Sequence, residues 1–325
     1  MDELRMLPAL ARALDEARRE EAGLPDVYAM PLAQARPFYE GLRERWNRFD
    51  ASAFDIRWQT IPAPPHAGRT AGELPLVRIE PLRATNRGAG TLVYLHGGGW
   101  VFGSNRTHLG LMAQLAQATG CTVHGVDYAL APERPFPQGL NDCAWAWRWL
   151  RAHAAGEGPW IVAGDSAGAN LAMGVMLDLR HLGEPQPDAG LLFYGAYATD
   201  FDTDSYQRLG DGRFNQSTAR MQGYWRQYLG DDPSRAQDPR VCPSRAAPAQ
   251  LAGLPPLWVT AAQLDPLHDD SMHLAQRLAQ AGVPHRFKAY DSVHHGFMQM
   301  SWAVPELRVA FTDAAAFLRE QGVRA

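Results

Sequence analysis

From residue 91 onward the chain alternates short apolar runs with longer, helix-like stretches, and this rhythm constrains its fold more than any other feature. Thr91–Leu95, Cys121–Val126, Ile161–Ala163, Leu191–Tyr194, Leu257–Thr260 and His285–Tyr290 read as strands. Between them Thr107–Thr119, Leu140–His153, Ala167–Leu182 and Ser271–Ala281 read as helices, and a closing helix falls near Pro305–Arg319. Trp145, Trp147 and Trp149 recur at period two, which locally also fits a strand; their place between two strands in the series favours a helix. Strands and helices in alternation predict a mostly parallel sheet covered by helices on both faces.

The flanking segments break this rhythm. Residues 1–50 read as helical: Leu4, Leu7, Ala11 and Leu14 recur at steps of three or four, and Phe38, Leu42 and Trp46 repeat every fourth residue in a second stretch. Pro37 falls near the start of that second stretch, where proline is tolerated. Phe54–Ile61 and Leu76–Ile79 read as two further strands. Residues 198–250, rich in Asp, Arg, Pro and Tyr with little periodicity, read as an insertion. The expected organisation is an N-terminal helical segment over 1–50 and an α/β domain over 51–325 that carries the insertion.

Composition removes several classes of function. The chain of 325 residues is 46% apolar and 20% charged, a balance suited to a globular protein with a large core. Its 31 basic and 35 acidic residues are interspersed, so the concentrated basic face that nucleic acid requires is missing. No apolar run approaches the roughly 20 residues that span a bilayer, and the first residues lack the apolar core of a signal peptide. Cys121, Cys143 and Cys242 cannot all pair with one another and match no metal or redox spacing. Buried thiols in a reducing, cytoplasmic setting are expected. His268, Asp269, Asp270 and His273 could suggest a metal, but the histidine spacing does not place both on one helical face, and no metal or organic cofactor is expected.

Two glycine-rich motifs carry chemistry. Gly164-Asp165-Ser166-Ala167-Gly168 follows the strand Ile161–Ala163 and opens a helix. A serine on a sharp strand-to-helix turn projects its hydroxyl above the sheet, and the helix N-terminus behind it offers free amides to an oxyanion. A glycine-flanked serine that only caps a helix is the plainer alternative. His96-Gly97-Gly98-Gly99 follows the strand Thr91–Leu95, and three glycines in a row let amides turn toward a ligand unobstructed by Cβ atoms. A phosphate-binding loop would need other glycine spacing and a lysine that is not there.

These two motifs, continued by Trp100, resemble those of the hormone-sensitive-lipase-like α/β-hydrolases, in the bacterial acetyl esterase branch. Asp127-Tyr128-Ala129-Leu130-Ala131-Pro132-Glu133, Asp265-Pro266-Leu267-His268-Asp269 and His295-Gly296-Phe297 agree in the same order over about residues 75–320. Ala129 departs from the family, which usually carries Arg there; a local contact is lost, not a reacting group. The resemblance implies an α/β-hydrolase fold with a helical cap formed by residues 1–50 and part of 198–250, shaping an apolar pocket.

The fold orders its triad as serine, acid, histidine. The resemblance therefore implies Ser166 as nucleophile, Asp265 as acid and His295 as base, with the amides of Gly98, Gly99 and Ala167 as oxyanion hole. It favours His295 over the adjacent His294, and Asp265 over Asp269 and Asp270, with Asp269 and Glu133 as loop braces and Asp165 as a structural group. The expected activity is serine carboxylesterase chemistry on short-acyl esters through an acyl-enzyme. A small-molecule ester is the implied partner, and the resemblance allows a homodimer. An amidase or deacetylase of acylated small molecules is the nearest alternative. A non-enzymatic receptor of the same fold is another, though such receptors lack the histidine that is present here.

Overall fold

A computed structural model of the chain describes residues 4–63, 65, 72–84, 88–154 and 158–322. Its centre is an eight-stranded sheet. The strands are β1 (Phe54–Ala63), β2 (Gly72–Pro81), β3 (Thr91–Leu95), β4 (Thr122–Val126), β5 (Trp160–Asp165), β6 (Ala189–Phe193), β7 (Leu257–Leu264) and β8 (His285–His294). They lie in the order β1-β2-β4-β3-β5-β6-β7-β8. β1 and β2 pair antiparallel, β2 is antiparallel to β4, and every later pairing is parallel. This is the mostly parallel, doubly covered sheet that the alternating pattern implies.

Successive side chains of a strand point to opposite faces, and the two halves of the core follow that rule. Val93, Leu95, Val162 and Leu192 pack on one side with α4 (Gln138–His153) and α5 (Ala167–His181). Leu92, Tyr94, Ile161, Ala163, Leu191 and Phe193 pack on the other with α3 (Leu109–Thr119) and α10 (Val309–Glu320). The tryptophans of α4 are helical, as expected. Trp147 is buried edge-on against Trp160, while Trp145 and Trp149, one turn apart, are half-buried on another face. All three cysteines are buried and unpaired.

Three local expectations need correction. The first helix, α1, runs Pro8–Glu20 and buries Leu10, Leu14 and Ala17; Leu4 and Leu7 precede it, and Ala11 is only half-buried. Proline at its first turn starts the helix at residue 8, and this sets the phase of the stripe. In α2 (Leu32–Arg43) Pro37 lies inside the helix, where it forfeits one backbone hydrogen bond. The segment 198–250 is more regular than its composition suggests, with α6 (Asp204–Leu209), α7 (Thr218–Leu229) and α8 (Pro248–Leu251) between β6 and β7. Met221, Tyr224, Trp225 and Tyr228 give α7 a regular inward stripe, hidden in the sequence because most of it is tyrosine and tryptophan.

α1 and α2 diverge in what they pack on. The apolar face of α1 joins the α3 and α10 side of the core, whereas Ala35 and Tyr39 of α2 join the α4 and α5 side near Trp100 and Phe102. Arg36 of α2 pins this arrangement. It donates to Val101 O and Ala131 O, both at 2.9 Å, and grips both oxygens of Glu133 at 3.0 and 2.7 Å. Glu133 therefore fastens the 131–137 loop to α2.

Candidate active site

Ser166 sits at the turn from β5 into α5 with φ 54° and ψ −120°, a conformation that L residues rarely adopt and that costs about 1–3 kcal/mol. The surroundings enforce it. Its amide donates to Phe193 O at 2.9 Å. A Cβ on Gly168 would collide with Leu95 O, and one on Gly164 with the backbone of Gly168. The two glycines allow β3, β5 and the first turn of α5 to close on one another.

β7 and β8 deliver the other two groups. Both strands run four residues beyond the spans Leu257–Thr260 and His285–Tyr290, through a register shift after Ala262, to pair Leu264 with His294. Asp265 and His295, each the next residue, are thereby brought side by side. His295 Nδ1 lies 2.6 Å from Asp265 Oδ2, and His295 Nε2 lies 2.8 Å from Ser166 Oγ. Asp265 is fully buried, and its other oxygen accepts the Leu267 amide at 2.9 Å. Burial works against a charged His295, but the charge and hydrogen bond of Asp265 outweigh it and hold the imidazole above its ordinary range.

The glycine loop after β3 faces this row. Gly98 and Gly99 have positive φ of 123° and 61°. Among the described residues the amides of Gly98, Gly99 and Ala167 donate to no protein acceptor. A Cβ on Gly99 would enter the ring of Tyr224, and one on Gly98 would collide with Phe102 O. Asp165 ties the loop to β5: its Oδ1 accepts from Tyr94 at 2.7 Å and from the Gly97 amide at 2.8 Å. Burial raises its pKa, but His108 and these two donors prevail, so it stays below the usual carboxylate range. His96 supports the loop from behind, stacked on Tyr128 at 4.3 Å and pushed by burial to about 3.

The rival residues are engaged elsewhere. His294 is buried, approaches the His295 carbonyl through Nδ1 and is pushed by burial to about 4. Asp269 accepts the Ser205 amide at 2.9 Å and pairs with His268 at 3.1 Å. Asp270 accepts the amides of Tyr197 and Ala198 at 2.8 and 3.1 Å, and burial raises it to about 8. Among the described residues no three His, Cys, Asp or Glu side chains converge as a metal site.

Around Ser166 the walls enclose a cavity of about 60 Å³. Sequence reasoning missed most of its lining. Tyr28, Tyr39 and Arg43 come from the N-terminal segment, Asn215, Gln216, Arg220 and Tyr224 from the segment before and within α7, and Gln299 and Met300 from the turn after His295. Arg220 and Tyr224, four apart on α7, were the readable signal for one wall. This lining is predominantly polar, which corrects the expected apolar pocket. A second cavity of about 150 Å³ abuts it past Tyr28, Tyr39 and Arg43 and reaches Leu14, Ala17 and Trp46. A larger cavity, about 530 Å³, lies away from Ser166, between Arg180, His181, Arg240 and Gln250, and holds none of these groups.

The chain's similarities agree with this site. Residues 92–299 match a family described as having the α/β-hydrolase fold. An acetyl esterase of Salmonella paratyphi A is 31% identical over 322 residues, 96% of this chain and 95% of its own. A thermostable esterase from Pseudomonas putida superposes with a TM-score of 0.86 at 27% identity, covering 100% of this chain and 99% of that one. An esterase from the bacterial hormone-sensitive lipase family superposes with a TM-score of 0.83 at 31% identity over 99% of each chain. The protein belongs to the α/β-hydrolases, among the hormone-sensitive-lipase-like bacterial esterases. It is a serine carboxylesterase, and its substrates are small-molecule esters.

Proposed function

We propose that Ser166, His295 and Asp265 hydrolyse short-acyl esters, with the amides of Gly98, Gly99 and Ala167 as the oxyanion hole. The observation that carries this reading is the continuous row from Asp265 through His295 to Ser166, at 2.6 and 2.8 Å, beside three amides without acceptors. Ser166 Oγ attacks the acyl carbonyl carbon while its proton passes to His295 Nε2. The carbonyl oxygen becomes an oxyanion held by the amides. The bond to the alcohol oxygen breaks as His295 returns the proton to it, leaving acyl-Ser166 and a free alcohol. Water then attacks the acyl carbon, gives its proton to His295, and releases the carboxylic acid and Ser166. Asp265 holds the imidazole in the tautomer whose Nε2 can accept.

The space beside Ser166 is small, about 60 Å³, which suits short-acyl esters. The acetyl esterase named above is a relative with that activity. Residues 1–50 and part of 198–250 act as the cap, a reading supported by the residues each contributes to the cavity wall. Buried, unpaired thiols suit a cytoplasmic location. A homodimer is carried over from the family resemblance, and light scattering tests it. The decisive experiment is labelling with an organophosphonate. One adduct on the peptide containing Ser166, lost together with activity in Ser166→Ala, is expected; an adduct elsewhere, or full activity in Ser166→Ala, overturns the reading.

A further inference from the structure

Two arginines line the cavity beside Ser166, and the carboxylate of Asp165 in the same lining is paired with neither. Arg43, at the end of α2, and Arg220, in the first turn of α7, both line it. Among the described residues neither forms an ion pair, whereas nearby arginines do: Arg36 with Glu133 at 2.7 Å, and Arg45 with Glu20 and Glu21 at 3.4 and 3.2 Å. Glu21, whose charge reaches Arg43, is thus already engaged. Of the acids around Ser166, Asp165 is held by Tyr94 and Gly97, and Asp265 faces His295.

Both guanidiniums are fixed in place. Arg43 lies over the Tyr39 ring at 4.6 Å, and Arg220 over the Tyr28 ring at 4.0 Å. Arg220 Nη1 donates to Asn215 O at 2.6 Å, and Arg43 Nε is buried without an acceptor. A desolvated donor left without a partner is costly, and a guanidinium presents a planar fork that suits a carboxylate. Tyr28, Tyr39 and Tyr224 line the same wall. The arrangement is that of an anion subsite beside the nucleophile.

Its position indicates which part of the ester carries the charge. Arg43 and Arg220 share one cavity wall with His295, Gly296 and Gln299, the turn that carries the imidazole, and the charge of Arg220 reaches His295. His295 must hand its proton to the leaving oxygen, so the alcohol portion of the substrate lies on the histidine side. We infer that the enzyme selects short-acyl esters whose alcohol portion carries a carboxylate, that is O-acyl hydroxy acids, with Arg43 and Arg220 as specificity-determining residues. This rests on the esterase reading above.

The test compares 2-acetoxypropanoate with its neutral isostere 2-acetoxypropanamide, following acetate release by the full chain at low ionic strength. The ratio of their kcat/KM values is expected to exceed about 10, to shrink as salt screens the charge, and to approach unity in Arg43→Met/Arg220→Met. Should that variant fail to fold, inhibition of 4-nitrophenyl acetate hydrolysis by benzoate against benzamide gives the same comparison on the unaltered protein, with benzoate expected to bind at least about 10-fold tighter. 4-Nitrophenyl hemisuccinate, with its charge on the acyl side, is expected to show no such advantage over the succinamate. A ratio at or below unity with brisk hydrolysis of both acetates, a ratio unchanged in a folded double variant, or an equal preference for acyl-side charge overturns the inference and leaves the esterase reading intact. No hydrolysis of any of these esters overturns both.

Discussion

Gly99→Ala is the most searching single change, because Gly99 combines a left-handed backbone, an unengaged amide and a tyrosine ring in the space of its missing side chain. Its φ is 61°, and an L residue there costs about 1–2 kcal/mol. The new Cβ would lie 2.7 Å from Tyr224 Cε2 and closer still to two other ring atoms. The ring would have to retreat by about 1 Å, and overpacking of this kind costs about 1–3 kcal/mol. The ring is itself held: Tyr224 is buried on α7 and meets Phe102 edge-on at 6.4 Å. Part of the displacement therefore passes to the Gly99 amide. Stability is expected to fall by about 2–5 kcal/mol, the sum of the two costs. Loss or misplacement of one oxyanion donor lowers kcat by about 10²–10³. The assay is kcat and KM on 4-nitrophenyl acetate with thermal unfolding in parallel, for Gly99→Ala and for Gly99→Ala/Tyr224→Leu. Removing the ring is expected to restore kcat by about 10-fold relative to the single variant, leaving the backbone cost in place. Undiminished kcat in Gly99→Ala would show that this amide does not hold the oxyanion, and no recovery in the double variant would show that the ring does not transmit the displacement.

Other outcomes follow from the same geometry. Asp265→Asn is expected to lower kcat by about 10⁴ through the wrong imidazole tautomer. It should also move the acid limb of kcat/KM to lower pH, because the charge that holds His295 above its ordinary value is gone; an unmoved limb refutes the coupling. His295→Ala is expected to lose at least ~10³-fold in kcat, whereas His294→Ala should lose far less, and equal losses would assign the base wrongly. Buried His124 is pushed down to about 4, so the folded chain disfavours its protonation. Its contribution is complete above the ordinary value near 6.5 and is lost as pH falls toward 4. Relative to the wild type, His124→Leu should therefore gain on the order of 3 kcal/mol in urea unfolding between those pH values. A flat difference would refute the buried, neutral assignment.

The centre of the sheet was legible because strands such as β3 and β6 are apolar in continuous runs, and a run of that kind between helices has few other uses. Its strand ends were not. β7 and β8 continue through Gln263, Asp291 and Ser292, polar residues that a periodicity argument treats as loop. They remain in the sheet because the parallel ladder carries on past the shift at Ala262, with the Ser292 amide donating to Gln263 Oε1 at 2.8 Å. Those polar extensions set the 2.6 Å contact of Asp265 with His295. The motif residues were recognisable, whereas the reason for their meeting lies in pairings between distant segments.

The cavity wall was hidden for a different reason. Ser166 and the glycines are constrained by local backbone shape, which leaves a short signature in the sequence. Arg43 has no such signature and Arg220 only its spacing to Tyr224: each is one arginine among many, and what distinguishes it is that, among the described residues, no carboxylate pairs with it once α2 and α7 are folded against the loop after β3. Arg36 shows how close the two outcomes are. It lies on the same helix as Arg43, yet it meets Glu133 and two carbonyls and becomes a clamp. Arg43, two turns later, meets tyrosine rings and the cavity. The row at Ser166 thus resides in short motifs, while the inferred choice of ester rests on which side chains the packed helices leave without ion pairs, a property of the folded structure that no single segment of the chain encodes.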